Sequence, residues 1–198
     1  MNVRRLGLFA PLAALSLAGC GINSVPTAEE QVNASWGNLQ SEYQRRADLI
    51  PNLVNTVKGY AQQEKSVLTE VTEARASATR VQLSPADLDD PEKVRAFSEA
   101  QGRLSAAIIP LQRLQEAYPE LKSNENFLTL QSQLEGTENQ IRVARRDYNE
   151  SVRAYNTRIR TFPDAIGAKI FYGAEPKVPF EAAAAAQGAP TVDFNTAG

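Results

Sequence analysis

The 198-residue sequence contains no histidine. This absence excludes Ser-His-Asp and Cys-His catalytic sites and every zinc site that needs a histidine ligand. The single cysteine, Cys20, excludes an intramolecular disulfide and a thiolate metal cluster. With 21 basic and 23 acidic residues the formal net charge is −2, so the chain lacks the basic excess of a nucleic-acid-binding protein. These absences leave few routes to catalysis and draw attention to the position of the one cysteine.

The N-terminus has the features of a secretory signal. Arg4 and Arg5 are followed by the apolar run Leu6–Ala18, which is too short to span a bilayer comfortably. The run ends in Leu17-Ala18-Gly19-Cys20, which resembles the cleavage box of bacterial lipoproteins and predicts lipid attachment (thioether diacylglycerol and an N-acyl chain such as palmitate) at Cys20. The alternative is an ordinary secreted protein with a free cysteine near the cut. No aspartate follows Cys20, which favours the outer over the inner membrane.

The body of the chain has the apolar period of helices. Apolar residues recur at steps of three and four in three long segments, and no segment of useful length has the period of a strand. The pattern predicts an all-α fold, an antiparallel up-and-down bundle of three to four long helices with coiled-coil character. The residues that define the stripes include Trp36, Leu39, Tyr43, Ile50, Leu53, Val57, Tyr60, Val94, Phe97, Leu104, Leu111, Phe127, Leu134, Ile141, Tyr148, Val152 and Tyr155.

Prolines divide this pattern. Residues 82–91 contain two prolines and a run of aspartates, after which Asp90 can cap a new helix with Pro91 in its first turn. Pro51 lies inside the first segment, where it has no N–H and would clash with the carbonyl of Ala47. Asp48 could cap a restarted helix. We therefore predict that the first long helix is kinked or broken near Pro51, as helices 29–47 and 49–80 or as one bent helix.

Charged residues share the apolar stripes. Arg46 and Glu64 take stripe positions in the first segment, and Glu138 and Arg145 flank the stripe of the last. One hypothesis makes Glu64 and Glu138 a carboxylate pair for a hydrolase or a metal-dependent enzyme. The other makes these charges ion pairs that fix helix register. The absence of histidine favours the second, so we expect no catalytic residue, no metal and no cofactor.

Two blocks carry a resemblance to a known family. Residues 43–75, YQRRADLIPNLVNTVKGYAQQEKSVLTEVTEAR, and residues 118–163, with the order TEN, AR, YN, YN and FP, are similar to the LemA family. The resemblance implies an antiparallel bundle of long helices anchored at the N-terminus, commonly by a transmembrane helix, for which this chain has a lipoprotein box instead. The family offers no catalytic residues to transfer. The residues that match its motif are Arg46, Asp48, Pro51, Asn52, Glu64, Glu138, Asn139, Arg145 and Asn149.

The sequence thus predicts four regions: a lipoprotein signal peptide at 1–19, a tether at 20–28, a LemA-like helical bundle at 29–172 and an irregular or disordered tail at 173–198. The expected protein is a non-catalytic interaction or scaffold module of the bacterial cell envelope, facing the periplasm. Its expected partners are membrane lipid, through acylated Cys20, and envelope proteins that the sequence does not identify, with no nucleic acid. The alternatives are the enzyme using Glu64 and Glu138 and a self-assembling structural protein. The oligomeric state is left open.

Overall fold

The structure, a computed structural model, describes residues 23–181. Cys20, the predicted signal peptide and residues 182–198 lie outside this part of the chain. The described residues form helices α1 to α6, two short helical turns and no β-strand, which confirms the all-α prediction for them. Their bounds are α1 Ser24–Lys58, α2 Lys65–Arg80, a 3₁₀ turn Pro85–Asp87, α3 Pro91–Ala117, α4 Pro119–Lys122, α5 Glu125–Arg158, α6 Asp164–Gly167 and a π turn Ala168–Tyr172.

The four longer helices, α1, α2, α3 and α5, alternate in direction. Helix α5 runs antiparallel to α1, since its last residue, Arg158, donates from Nη1 to the carbonyl of Ser24 at 3.2 Å. At the other end of the bundle, Tyr118, which follows α3, donates to Glu64, which precedes α2, at 3.1 Å. Helix α2 therefore returns along α1 and α3 returns along α2. This is the predicted up-and-down bundle. Within residues 23–181, none of the helices combines the length and the apolar character that a membrane span requires.

The starts of α3 and α5 follow from the sequence. The Asp90 carboxylate accepts from the backbone N–H groups of Glu92 and Lys93 at 3.0 and 3.2 Å, as predicted from its place before Pro91. The side chain of Asn124 accepts from the N–H of Phe127 at 2.9 Å. Helix α1 begins at Ser24, so residues 24–28 of the predicted tether are helical.

Of the two predictions for Pro51, the break is wrong in position, whereas the kink stays a prediction. Helix α1 continues through Pro51 to Lys58, and the chain reverses at residues 59–64 instead. Asp48 is an internal residue of α1 that accepts from Gln44 at 2.8 Å rather than a helix cap. Because Pro51 has no N–H, the carbonyl of Ala47 loses its partner within the helix. Arg75 of α2 supplies one, with Nε donating to this carbonyl at 2.6 Å, and this long-range bond explains how the helix tolerates the proline.

This arrangement predicts a coupling between Pro51 and Arg75. Arg75→Ala should lower the free energy of unfolding by about 1–2 kcal/mol, because the half-buried carbonyl of Ala47 loses its donor. In a Pro51→Ala background a helical N–H is restored, so the same substitution should cost about 1 kcal/mol less. Denaturant unfolding of the four chains of the cycle measures the difference. Equal costs in both backgrounds would contradict the role given to Arg75.

The core consists of two hydrophobic clusters that follow one another along the bundle. The proximal cluster lies at the end where α1 begins, and the distal cluster lies towards the α1–α2 turn. The buried members of the proximal cluster are Val25, Val32, Trp36, Leu39, Tyr43, Leu83, Leu88, Val94, Phe97, Ile141, Tyr148, Val152, Tyr155, Ile159, Ala168 and Phe180. Those of the distal cluster are Ile50, Leu53, Val57, Ala61, Leu68, Val71, Ala78, Leu104, Ala107, Ile108, Leu111, Leu114, Leu121, Phe127 and Leu134.

Non-helical segments complete the proximal cluster, because α2 ends at Arg80. Leu83 and Leu88 from the α2–α3 connection are buried there, and so is Phe180 from the C-terminal segment. The segment at 174–181 has no regular secondary structure, yet it is packed against the bundle. Its Val178 N–H donates to the carbonyl of Leu88 at 2.8 Å, which joins the two segments.

Candidate functional site

The most buried charge of the described chain is Arg46, whose side chain is 1% exposed. It lies on α1 between Tyr43 of the proximal cluster and Ile50 of the distal one. Its guanidinium donates to Glu138 Oε1 at 2.8 Å and is placed over the ring of Tyr43, 5.2 Å from the centroid. One ion pair between charges of the two stripes is therefore present.

This arginine binds α3 as well as α5. Its Nη atoms donate to the Ser105 hydroxyl at 2.6 Å, to the Gln101 side-chain oxygen at 2.6 Å and to the Gln101 carbonyl at 3.3 Å. Gln101 in turn donates to the carbonyl of Ala78 in α2 at 3.2 Å. A single polar network thus joins α1, α2, α3 and α5 between two apolar clusters. We expect such an arrangement to fix the register of the helices, since a helix shifted by one turn would leave buried donors without acceptors.

The two acids of the enzyme hypothesis have separate partners. Glu64 precedes α2 at the distal end and accepts from the hydroxyl of Tyr118, a bond that raises the pKa of this tyrosine. Glu138 accepts from Arg46 in the middle of the bundle and is 31% exposed. Asp48 contacts its own helix through Gln44. Among residues 23–181 no group of three or more histidine, cysteine, aspartate or glutamate residues is placed to hold a metal ion.

Two asparagines of α5 hold the C-terminal segment. The side chain of Asn156 donates to the Lys177 carbonyl at 2.8 Å and accepts from the Lys177 N–H at 2.9 Å. The side chain of Asn149 does the same for Phe180, with both distances at 2.8 Å. The two asparagines are seven residues apart, two turns on one helix face. Each asparagine therefore pairs with the N–H and carbonyl of one residue of the segment, as a residue of a neighbouring β-strand would.

We call Asn149 and Asn156 the asparagine clamp. Further contacts from α5 and α1 hold the same segment. The Tyr148 hydroxyl donates to the Val178 carbonyl at 3.0 Å, and Arg145 donates to the Glu181 carbonyl at 2.8 Å. Arg145 is also placed 5.5 Å from the ring centroid of Phe180. Lys177, 8% exposed, reaches Glu29 of α1 at 3.4 Å. Arg145, predicted as a charge for helix register, thus contacts the C-terminal segment.

Phe180 enters an aromatic cluster. Its ring stacks with that of Trp36 at a centroid distance of 6.1 Å and lies 5.2 Å from the ring of Tyr148. Phe97 contacts Trp36 edge to face at 5.4 Å. These rings bury a large apolar area and prefer such offset and edge-to-face geometries. The C-terminal segment therefore contributes a side chain to the core as well as a row of backbone hydrogen bonds.

Sequence reasoning missed Asn156, Gln101 and Phe180. A signal for the first existed, because Tyr148-Asn149 and Tyr155-Asn156 repeat the same dipeptide after seven residues of one helix. In both cases the tyrosine is buried and the asparagine lies beside it at the border of the core. Phe180 lies in Pro176-Lys177-Val178-Pro179-Phe180, which repeats the spacing of Pro190-Thr191-Val192-Asp193-Phe194, whereas Gln101 has no comparable pattern.

The clamp predicts local hydrogen-exchange effects. Asn156→Ala should speed exchange of the Lys177 amide by at least about tenfold, and Asn149→Ala should do so for Phe180, because each amide loses its only acceptor in the clamp. The Val178 amide, bonded to Leu88 instead, is the internal control. Exchange measured by NMR tests this. Lys177 and Phe180 amides that already exchange at the free-peptide rate in the parent chain would contradict the clamp.

The buried tyrosines predict a loss of stability in alkali. Burial of Tyr155, with smaller contributions from the carboxylates of Glu29, Asp89 and Glu175, raises its pKa from 10.0 to about 12. The folded protein thus favours the neutral phenol, so the stabilisation is complete below pH 10 and is lost as the pH rises towards 12. Tyr155→Phe should reduce the decline of the unfolding free energy over this interval. Chemical denaturation at several pH values measures the slope for each chain, and equal slopes for the parent chain and Tyr155→Phe would contradict the assignment.

Comparisons with known proteins identify the family of this chain. The model of the LemA family matches residues 35–194. The chain is 24% identical over 140 residues to the protein LemA of Metamycoplasma hominis, covering 71% of this chain and 60% of the relative. It is 26% identical over 157 residues to the magnetosome protein MamQ 2 of Paramagnetospirillum magneticum, covering 71% of this chain and 58% of that protein. The chain therefore spans about three-fifths of the length of these relatives. Because the family model covers most of the sequence, including the clamp and the segment it holds, the chain belongs to the LemA family.

Proposed function

We propose that the protein is a lipid-anchored, non-catalytic interaction module of the bacterial cell envelope. The observation that carries the proposal is the use of the polar family-motif residues within the bundle. Arg46 and Glu138 join helices, Arg145 and Asn149 hold the C-terminal segment, and Glu64 accepts from Tyr118. Each of these groups has an intramolecular partner in keeping with a structural role, which supports a body that presents surfaces rather than a reaction centre.

The proposed anchor is an acylated Cys20. Its cleavage box ends four residues before Ser24, the first residue of α1. Two or more acyl chains give a stable membrane attachment, whereas one chain binds reversibly. The likeness to LemA and to magnetosome proteins supports a location at a membrane. We assign the module to the periplasmic side, with the outer membrane favoured by the absence of aspartate after Cys20.

Cysteine replacement tests the anchor. The parent chain should fractionate with membranes and carry the added mass of diacylglycerol and an N-acyl chain, and Cys20→Ser should lose that mass. The matched control moves the only thiol elsewhere, as Cys20→Ser with Ser66→Cys, where Ser66 is an exposed residue of α2. This control should carry no lipid. Identical membrane retention and mass for the parent chain and Cys20→Ser would refute lipidation.

The interaction role is tested separately from the anchor. Photo-cross-linking from exposed helix positions in living cells should recover defined envelope proteins. Glu64→Gln combined with Glu138→Gln should leave any phenotype of a deletion strain complemented, provided that the variant folds. A folded double variant that fails to complement while still cross-linking to its partners would favour the enzyme instead.

A further inference from the structure

One segment of the described chain exposes large apolar side chains in succession. Phe162 is 79% exposed, Ile166 52%, Ile170 69% and Phe171 66%. Single exposed apolar residues are ordinary, but four of them within ten residues are a surface that calls for a partner. We call these four residues the apolar tip. They belong to the turn after α5, to α6 and to the π turn that follows it.

The apolar tip is held at the end of the bundle where α1 begins. Arg158, four residues before Phe162, donates to the carbonyl of Ser24. Ala168, within the tip segment, is buried in the proximal cluster, to which Val25 of the first turn of α1 also belongs. The tip is therefore fixed next to the point where the chain arrives from Cys20. At most about 10 Å of extended chain separates Cys20 from Asn23, at 3.3–3.6 Å per residue.

The charge of this segment is opposite to that of the chain as a whole. Residues 158–172 contain three basic residues and one acid, a local net charge of +2, against −2 for the whole sequence. The acid, Asp164, is paired with Arg158 at 3.6 Å. Arg160 and Lys169 are exposed and form no ion pair with an acid within the described residues. Aromatic and aliphatic side chains flanked by basic residues are typical of surfaces that lie at the headgroup level of anionic membranes.

From these observations we infer that the apolar tip contacts the phospholipid bilayer. This inference rests on the proposed function, because the acyl chains at Cys20 are what bring this end of the bundle to the membrane. The tip side chains enter the boundary between headgroups and acyl chains, and Arg160 and Lys169 meet phosphate groups. The bundle thus touches the membrane at two places, one covalent and one not, and this fixes its orientation with the distal cluster pointing away.

Site-directed spin labelling tests the contact. Once Cys20 is acylated, an introduced cysteine is the only free thiol, so Ile170→Cys and the control Leu128→Cys can each be labelled singly. Leu128 is a matched exposed apolar residue, 44% exposed, in the first turn of α5 at the opposite end of the bundle. Both full chains are reconstituted in vesicles of phosphatidylethanolamine and phosphatidylglycerol. Collision with oxygen and with a water-soluble nickel complex then reports the depth of each label.

The label at residue 170 should be less accessible to the nickel complex than the label at residue 128, on the order of fivefold, and more accessible to oxygen. Adding Phe162→Ser and Phe171→Ser should return residue 170 towards aqueous values, and circular dichroism checks that this variant folds. Equal nickel accessibility at 170 and 128 overturns the inference. Protection of residue 170 without vesicles, accompanied by spin–spin broadening, also overturns it, because the occupant is then a second copy of the chain.

Failure of the anchor gives a different result from failure of the tip. Mass spectrometry of the purified chain shows whether Cys20 carries lipid and so tests the proposed function alone. If Cys20 is unmodified, the same label comparison is made in the Cys20→Ser background, where the introduced cysteine is again the only thiol. A protected residue 170 there supports the tip, and an aqueous one overturns it.

Discussion

Replacing Arg46 by alanine is expected to lower the free energy of unfolding by about 3–5 kcal/mol. The substitution removes a 1%-exposed side chain and leaves Ser105, Gln101 and Glu138 without their common donor. Part of the loss is relieved, since Glu138 is 31% exposed and can take water. The remainder comes from a cavity between the two hydrophobic clusters and from acceptors that stay buried. Urea unfolding followed by circular dichroism measures the change.

Two other variants separate charge from volume at this site. Arg46→Met fills most of the space, and buried charges are often replaced by apolar groups at small cost. The Nε of Arg46 has no hydrogen-bond partner among the described residues, so the native network is not fully satisfied. We therefore expect Arg46→Met to recover at least half of the loss, about 2 kcal/mol. Glu138→Gln keeps an acceptor oxygen and should cost about 1 kcal/mol.

The outcome that would contradict this account is a stable Arg46→Ala chain with unchanged helix packing. A second measurement tests whether the network sets the register of the helices. If it does, conformational exchange should broaden the amide signals of α3 and α5 in Arg46→Met more than in the parent chain, under conditions in which both chains are equally folded. Sharp, unchanged NMR spectra for Arg46→Met would leave the network with a packing role only.

The fold could largely be predicted because its determinants are local. The steps of three and four along residues 29–162 place Trp36, Leu53 and Phe127 inward, and these residues are buried. The cap at Asp90 is likewise readable from its neighbours Glu92 and Lys93. Tyr60 is an exception, because it lies beyond the end of α1 and is 44% exposed. The helical period of apolar residues no longer predicts burial beyond the end of the helix.

What could not be predicted depends on contacts between distant residues. The tolerance of Pro51 needs Arg75, which is 24 positions later in the sequence and on another helix. The partner of Arg46 in α3, Gln101, is 55 residues away. Neither pairing has a signature in local spacing. The sequence identifies the candidate charges as residues that break the apolar stripe, but the partner of each charge depends on the three-dimensional arrangement.

The C-terminal segment was the hardest part to predict for a related reason. Residues 174–181 have the prolines and low helix period of an extended or disordered tail, and nothing in them favours a strand. Their order comes from Asn149 and Asn156, which satisfy backbone groups that a sheet would otherwise pair. The sequence of a segment that is held by side chains of another element has no helix or strand period, whether or not the segment is packed.

Phe180→Ala should accordingly lower the free energy of unfolding by about 3 kcal/mol and shift the emission of Trp36 to the red. The ring of Phe180 is 4% exposed and covers Trp36, so its loss admits water to the indole. Trp36 is the only tryptophan, and its fluorescence therefore reports this cluster alone. Denaturant unfolding and emission spectra of the folded state measure the two effects.

Phe162→Ala is the matched control, because the same side chain is removed from a residue 79% exposed. It should change stability by less than about 0.5 kcal/mol and leave the emission of Trp36 in place. Phe180→Leu should retain most of the stability, since it keeps apolar volume over the indole. If Phe180→Ala behaves like Phe162→Ala in both measurements, the C-terminal segment does not cover the proximal cluster in solution. The clamp would then bind only the backbone of residues 174–181, and loss of this segment from α5 would cost the bundle little stability.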